Sequence, residues 1–75
     1  MRTEAGWISV SKSNQEMDAV TKKALLEEEG IQTMIINKKD SLYPMIGYFE
    51  IFVKQENVLR SLKLLEQYEN SRKSS

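Results

Sequence analysis

Three short stretches of the chain are rich in apolar, β-branched and aromatic residues, which predicts β-strands over residues 6–10, 31–37 and 48–53. The third stretch is apolar on both sides of the pleat. One face carries Phe49, Ile51 and Val53, and the other carries Tyr48 and Phe52. In a small domain one of these faces packs against the core, and the other face then needs a cover. The run Met34-Ile35-Ile36 leaves the two faces of the second strand unassigned.

Apolar residues spaced three to four apart predict two amphipathic helices, over residues 14–29 and 56–68. Ser13 followed by Glu16 matches a capping box at the start of the first helix. Gly30 is its expected end, because glycine enters the left-handed conformation without a steric penalty. Across such a cap Leu26 contacts Ile31, so both side chains are expected inside the core.

The buried face of the first helix stays open between two stripes. One stripe comprises Met17, Val20, Thr21 and Ala24, and the other comprises Ala19, Leu25 and Leu26. The cap contact favours the second stripe, which leaves the first as a flank of the core or a contact surface. A single wide buried face is the alternative. In the second helix the expected buried stripe is Val58, Leu59, Leu62 and Leu65, with Leu64 and Tyr68 as a lateral pair.

The order of the predicted elements is β-α-β-β-α. A right-handed crossover makes the first two strands parallel, and the third strand lies most simply between them in the opposite direction. We therefore expect an α+β, ferredoxin-like domain over residues 1–68, with a three-stranded mixed or antiparallel sheet and both helices on one face. Residues 69–75 are expected to form a disordered polar tail.

The face of the sheet without helices is expected to be unusually apolar. Such a face is normally polar, but here it would carry Trp7, Tyr48 and Phe52, which are the candidate interface residues. Each ring can bury about 150–250 Å², and exposed apolar patches of that size usually mark contact sites. We expect this face, or the free edge of the first strand, to pair with a second copy. The alternative is that the N-terminal arm or the long loop covers it.

The composition removes several kinds of chemistry. The 75 residues include no histidine and no cysteine, so the commonest general base, the commonest metal ligands and disulfides are all missing. We therefore expect no enzymatic activity, no cofactor and no metal site. The carboxylates of residues 27–29 are interpreted as a solvated helix face rather than as a metal or acid–base site.

Charge and hydropathy exclude further partners. Eleven basic residues balance eleven acidic ones, so a broad electrostatic footprint for nucleic acid or anionic lipid is not expected. Glu50 between Tyr48 and Phe52 also argues against an RNA-stacking platform. No apolar run approaches the ~20 residues of a membrane span, and the N-terminus lacks a signal-peptide pattern. We expect a cytoplasmic protein.

The loop of residues 38–46 carries the one compact polar cluster, formed by Lys38, Lys39, Asp40, Ser41 and Tyr43. Two adjacent lysines can neutralise an anionic ligand, and loops longer than a tight hairpin requires are often functional. No glycine-rich cradle accompanies these lysines. The other interpretation is a solvated loop that Pro44 makes rigid and that Leu42 or Tyr43 pins against the domain.

Three segments resemble one protein family. They are LLEEEGI (25–31), IINKKDSLYPMIGYFEIFV (35–53) and VLRSLKLLEQ (58–67). The family consists of small bacterial proteins, is catalogued as a domain of unknown function and is labelled a prokaryotic signal-transducing protein. The resemblance covers roughly residues 7–67 and is most specific over residues 37–43, in the version found in Bacteroidetes-type bacteria. It implies a ferredoxin-like or PII-like fold and no demonstrated enzyme activity or agreed ligand. Lys22 departs from the pattern, because relatives tend to be apolar there.

These observations predict a small regulatory or interaction module that forms a homodimer. It would bind a partner through the apolar sheet face, the edge strand or the 38–46 loop. The alternative is a PII-like or amino-acid-binding-domain-like sensor that grips an anionic metabolite through Lys38 and Lys39.

Overall fold

The computed structural model describes residues 6–73 and contains one sheet and two α-helices. The strands are β1 (Trp7–Ser13), β2 (Thr33–Asn37) and β3 (Phe49–Lys54). The helices are α1 (Glu16–Glu28) and α2 (Val58–Lys73), and a single 3₁₀ turn (Gln55–Asn57) precedes α2. The fold class is therefore α+β, and the order β-α-β-β-α is as predicted.

β3 lies in the centre of the sheet, whose strand order is β1-β3-β2. Both outer strands are antiparallel to β3, so β1 and β2 run parallel to each other, as the crossover rule requires. The register pairs Ile8 with Val53 and Ile35 with Ile51. This small ferredoxin-like arrangement confirms the predicted topology.

One side of the sheet forms the core together with both helices. Its members are Phe49, Ile51 and Val53 of β3, Ala19 and Leu26 of α1, Leu65 of α2, and Ile31. The predicted inner face of β3 is therefore confirmed. The register also assigns the second strand, since Ile35 lies opposite Ile51 and packs against the core. Met34 and Ile36 consequently lie on the opposite side of the sheet.

β1 contains a β-bulge at Val10. Ser9 pairs with Phe52 and Ser11 pairs with Ile51, which leaves Val10 as an extra residue. Val10 packs against the core and Ser11 points to the same side, where its hydroxyl contacts a lysine of α1. The following residue, Lys12, is thereby directed away from the helices.

The C-terminus of α1 is a Schellman motif, as the sequence predicts. Gly30 has a φ of +80°, its N–H donates to Glu27 O at 3.0 Å, and the N–H of Ile31 donates to Leu26 O at 3.1 Å. Leu26 and Ile31 are both buried in the core. The local signal was sufficient here, because the turn and its apolar contact lie within six residues.

The predicted capping box at the start of α1 is wrong. The N-cap residue is Gln15, and its side chain makes no capping hydrogen bond. Ser13 is still the last residue of β1, where it pairs with Phe49, so it lies two positions before the cap. Its hydroxyl oxygen accepts from the N–H of Gln15 at 3.2 Å instead.

The buried faces of the helices differ in part from the expectation. α1 buries the side of Ala19 and Leu26 and exposes Met17 and Val20, so a single wide buried face is wrong. Leu59 and Leu62 of α2 are exposed. The residues that α2 turns inward are Val58, Ser61, Leu64 and Leu65. At 3.6 residues per turn, the buried stripe lies about one-fifth of a turn from the stripe that the apolar spacing predicts. The spacing misses this position because the buried residue Ser61 is polar.

Residues 69–73 continue α2, which corrects the expected disordered tail over that segment. Glu69 pairs with Lys22 of α1 at 3.0 Å, and Arg72 pairs with Asp18 at 2.9 Å. These polar residues therefore have partners on the neighbouring helix, which the sequence pattern of α2 alone does not show. Residues 74–75 and the N-terminal arm proposed as a cover, residues 1–5, lie outside the described residues.

Candidate functional site

The 38–46 loop is an ordered hairpin that extends the β2–β3 ladder. The N–H of Lys38 donates to Tyr48 O at 2.8 Å, and the N–H of Asp40 donates to Ile46 O at 2.9 Å. Closer to the turn, the N–H of Ile46 donates to Tyr43 O at 2.8 Å. The two arms thus remain paired well beyond the ends of the strands.

Two residues fix the backbone of this hairpin. Oδ1 of Asp40 accepts from the N–H of Leu42 at 2.7 Å and from the N–H of Tyr43 at 2.9 Å. Gly47 has a φ of +111°, and a Cβ at this position would collide with the carbonyl oxygen of Lys38. Glycine is therefore required at position 47 both by its conformation and by the close approach of the opposite arm.

Four large apolar side chains project from the end of the hairpin into solvent. They are Leu42, Tyr43, Met45 and Ile46, which we call the hairpin tip, and their exposed fractions lie between 58% and 88%. The interpretation that Leu42 or Tyr43 pins the loop against the domain is wrong, since both side chains are exposed. The hydrogen bonds that the N–H groups of Leu42 and Tyr43 donate to the side chain of Asp40 hold the loop instead. The sequence analysis singled out only the polar residues of this loop. The apolar run LYPMI (42–46) was the signal from which the hairpin tip could have been found.

The geometry does not bring Lys38 and Lys39 together. Nζ of Lys38 lies 2.9 Å from Oε1 of Glu50, on the side of the sheet away from the helices. Nζ of Lys39 lies 5.8 Å from the ring centroid of Phe49, whose side chain faces the core. Adjacent residues in extended backbone point to opposite faces, so the two ammonium groups diverge. Ser41 is exposed beside them.

Glu50 is a buried carboxylate with a compensating network. Burial would raise its pKa, but hydrogen bonds from Ser9 and Lys38 and the positive charges of Lys38 and Lys12 together hold the pKa below its ordinary value. The hydrogen bond with Glu50 in turn raises the pKa of Lys38. Lys38 is thus committed to an internal carboxylate and offers little charge to an external anion.

The side of the sheet away from the helices, which we call the outer sheet face, holds all three predicted interface residues. Its residues are Trp7, Ser9, Lys12, Met34, Ile36, Tyr48, Glu50, Phe52 and Lys54. Phe52 is fully buried by its neighbours, with 0% exposure, whereas Trp7 and Tyr48 are half-buried. The partly exposed apolar side chains of this face are therefore Trp7 and Tyr48 near its two ends and Met34 and Ile36 of β2.

Lysine side chains lie over the rings of the outer sheet face. Nζ of Lys54 is 4.5 Å from the ring centroid of Trp7, and Nζ of Lys12 is 4.9 Å from that of Tyr48. Such cation–π contacts contribute about 0.5–1 kcal/mol each at exposed sites. Lys38 lies on the same face, where it is paired with Glu50.

A second polar cluster lies between α1, α2 and β1. Lys22 is 5% exposed, and its Nζ contacts Asp18 Oδ2 at 3.1 Å, Glu69 Oε2 at 3.0 Å and Ser11 Oγ at 3.1 Å. Burial would lower the pKa of Lys22, but hydrogen bonds from its ammonium group to Glu69 and Asp18 and the charges of these carboxylates raise it. The amine therefore stays protonated and cannot serve as a base toward Ser11. The cluster is an ion-pair lock between elements.

Within residues 6–73, no group of three or more His, Cys, Asp and Glu side chains is arranged to hold a metal ion. None of the helices in that range is long and apolar enough to cross a membrane.

Comparisons of the chain with protein-family models, with curated proteins and with solved structures give no match.

Proposed function

We propose that this protein is a small interaction module that binds a partner protein through the hairpin tip. The observation that carries the proposal is the exposure of four large apolar side chains on a hairpin whose backbone is fixed. Contiguous exposed apolar surface commonly marks a protein contact. A tip that is already ordered also loses less conformational entropy on binding than a flexible loop would.

We further propose that the protein has a regulatory role and acts in the cytoplasm. The resemblance of residues 7–67 to the signal-transducing family supports a regulatory role, and a sequence without cysteine suits a reducing compartment. The alternative sensor of an anionic metabolite is less well supported. Its two lysines point to opposite sides of the sheet, and Lys38 is paired with Glu50.

Site-specific photo-crosslinking in cells that produce the protein tests the docking element. A photoreactive phenylalanine analogue replaces Met45 in one variant and Leu59 in a matched control. The two positions have exposed fractions of 88% and 83%, but only Met45 belongs to the hairpin tip. We expect a discrete covalent adduct from position 45 and none from position 59. The mass of the adduct identifies the partner as a second copy or another protein.

A further variant separates specific docking from chance collision. Replacement of Leu42 by Ser removes one apolar side chain of the hairpin tip without touching the hydrogen bonds of Asp40, which use backbone N–H groups. We expect it to reduce the adduct from position 45 severalfold. Equal yields from positions 45 and 59, or a yield that is insensitive to Leu42, would contradict the proposal.

A further inference from the structure

The two edges of the sheet differ in how well they are protected against pairing with another strand. β1 carries the bulge at Val10 and the charged residue Lys12, and both features disfavour such pairing. β2 has neither, since its sequence is TMIIN and its register with β3 is regular. Among residues 6–73, no further strand pairs with its outer side. An edge strand without charge or bulge is a surface to which another strand can add.

The ladder with β3 determines which backbone groups this edge offers. The N–H of Lys38 donates to Tyr48 O, so these two residues form a hydrogen-bonded pair. Because such pairs alternate along an antiparallel ladder, Met34 and Ile36 also direct their backbone groups to β3. The residues between them direct their N–H and C=O groups away from the sheet. They are Thr33, Ile35 and Asn37.

We propose that two copies of this protein form a symmetric dimer in which the two β2 strands pair antiparallel about a two-fold axis at Ile35. Ile35 then lies opposite the same residue of the second copy, and Thr33 lies opposite Asn37. These pairs exchange about six backbone hydrogen bonds in all. Since paired residues project to the same side of a sheet, the dimer has one six-stranded sheet with the helices of both copies on one side.

β2 is complementary to itself in this register. It contains no charged residue, so the pairing opposes no like charges within the strand. On the outer sheet face, Met34 of each copy lies opposite Ile36 of the other in a non-hydrogen-bonded pair, where side chains approach most closely. Both side chains are half-buried in the monomer, so the dimer covers apolar surface as well as backbone groups. Any shift of the register leaves fewer residues of β2 paired.

The dimer places the two hairpin tips at opposite ends of the six-stranded sheet, because the two-fold axis reverses the direction of β2. The ladder continues from Ile35 to Asp40, a distance of about 17 Å at ~3.3 Å per residue. The two hairpin tips therefore lie more than about 30 Å apart and stay accessible. A dimer of this kind presents two binding elements to its partner, which raises avidity without any new contact. The pairing itself does not rest on the function proposed for the hairpin tip.

The expected dimer is weak. Five residues at ~3.3 Å each make an edge about 17 Å long, which is short for a specific interface. Sedimentation equilibrium should show a weight-average mass that rises above the monomer value of 8.7 kDa at roughly 0.1–1 mM protein and levels off at the dimer. A mass that stays at 8.7 kDa over this range, or that grows beyond the dimer, overturns the proposal.

A disulfide tests the register directly, because the natural chain has no cysteine. One variant carries Met34→Cys and the other carries Ile36→Cys. The proposed register places these positions opposite each other with Cα atoms about 4.5 Å apart, a distance that a disulfide spans. Under mild oxidation, an equimolar mixture should give the crosslinked heterodimer in severalfold excess over either homodimer, as resolved by mass spectrometry. No crosslink, or a heterodimer yield no higher than random pairing gives, overturns the proposal.

Substitution of Asn37 separates backbone pairing from side-chain effects. Asn37→Pro removes an N–H that points to the free edge, where an edge strand tolerates proline. Asn37→Ala is the matched control, because both variants lose the side-chain acceptor of the Lys39 N–H and only the proline variant also loses the backbone donor. The proline variant lacks two hydrogen bonds of the symmetric dimer, so its association should weaken about tenfold or more relative to the alanine variant.

Equal association of the two Asn37 variants, with both folded by circular dichroism, overturns the proposal. The disulfide yields decide the question independently of how well the proline variant folds. Crosslinking from position 45 reports on the hairpin tip and the disulfide reports on the edge of β2, so a failure of one proposal is distinguishable from a failure of the other.

Discussion

Nζ of Lys22 lies 3.0 Å from Oε2 of Glu69, and this contact joins the middle of α1 to the last turns of α2. The same ammonium group contacts Asp18 and the hydroxyl of Ser11, so all three of its N–H groups have acceptors. Lys22 is therefore inside the protein, with its charge compensated. It ties β1, α1 and α2 together.

Replacing Lys22 by Met should lower the free energy of unfolding by about 1–3 kcal/mol, as measured by urea denaturation. Breaking a buried ion pair typically costs about 3–5 kcal/mol, and the cost is reduced here because Glu69 is nearly half exposed. Lys23→Met is the matched control on the same helix. Lys23 forms an exposed pair with Glu27, and such pairs are worth about 0.3–0.5 kcal/mol. Equal effects of the two substitutions would refute the ion-pair lock.

The free energy of unfolding should decrease at acid pH and at alkaline pH and should change little between these limits. Burial would raise the pKa of Asp18, but hydrogen bonds with Ser13 and Lys22 and the charges of Lys22 and Arg72 hold it below 3.8. The pKa of Glu50 likewise lies below 4.5. A carboxyl group with a depressed folded pKa stabilises the fold above its unfolded pKa. That contribution is lost as the pH falls through the folded value.

At alkaline pH the groups that matter are lysines, whose pKa values are raised in the folded protein rather than lowered. The pKa values of Lys22 and Lys38 are raised above 10.5, so their contribution is complete below that pH and is lost as the pH rises through the folded values. Chemical denaturation at a series of pH values measures both limits. The variant Asp18→Asn should show a shallower acid slope than the natural sequence, and an unchanged slope would contradict the role assigned to Asp18.

Gly47→Ala should destabilise the protein more than Gly30→Ala. Both glycines have positive φ, which costs another residue about 1–2 kcal/mol. At Gly30 the added Cβ meets open space, whereas at Gly47 it collides with the backbone of Lys38. The comparison of thermal midpoints therefore isolates the steric contribution of the hairpin. A smaller effect at Gly47 would show that the two arms do not approach as closely as described.

Asp40→Ala should loosen the hairpin tip without unfolding the domain. The substitution removes the acceptor of the Leu42 and Tyr43 N–H groups, and these amides should exchange with solvent severalfold faster. Hydrogen exchange followed by NMR measures the change, and Ser41→Ala serves as the control in the same loop. Unchanged protection in the Asp40 variant would rule out its role in ordering the hairpin tip.

Ser61→Ala should raise the free energy of unfolding by about 1 kcal/mol. Ser61 is fully buried in α2, and its hydroxyl oxygen has no hydrogen-bond partner among the described residues. Alanine removes this unsatisfied group and has a higher helix propensity. Equilibrium denaturation measures the gain, and a loss of stability would indicate that the hydroxyl has a partner.

Local signals in the sequence predicted what depends on local structure. The glycine cap, its Leu26–Ile31 contact and the inner face of β3 follow from spacing over a few residues. The position of the buried stripe on α2 did not follow, because Ser61 is buried only as a consequence of how α2 packs on the sheet. Likewise, the bulge at Val10 becomes visible only when β1 is paired with β3, since nothing in the strand's own sequence marks the extra residue.

In the candidate site, too, the sequence predicts the features that depend on local structure and misses those that depend on packing between elements. The sequence placed Trp7, Tyr48 and Phe52 on one face, which alternation along a strand is enough to predict. It did not predict that Phe52 would be covered by its neighbours, since that depends on side chains from all three strands. The separation of Lys38 and Lys39 follows from extended backbone at residues that had been assigned to a loop.

The bulge at Val10 also indicates where homologous chains can differ in length. A strand that lacked Val10 would alternate regularly, and Ser11 would still face Lys22 while Lys12 would still lie over Tyr48. β3 has no bulge, so loss of one of its residues would instead turn the side chain of every later residue in the strand to the opposite face of the sheet. Natural insertions and deletions within the sheet should therefore concentrate in the first strand.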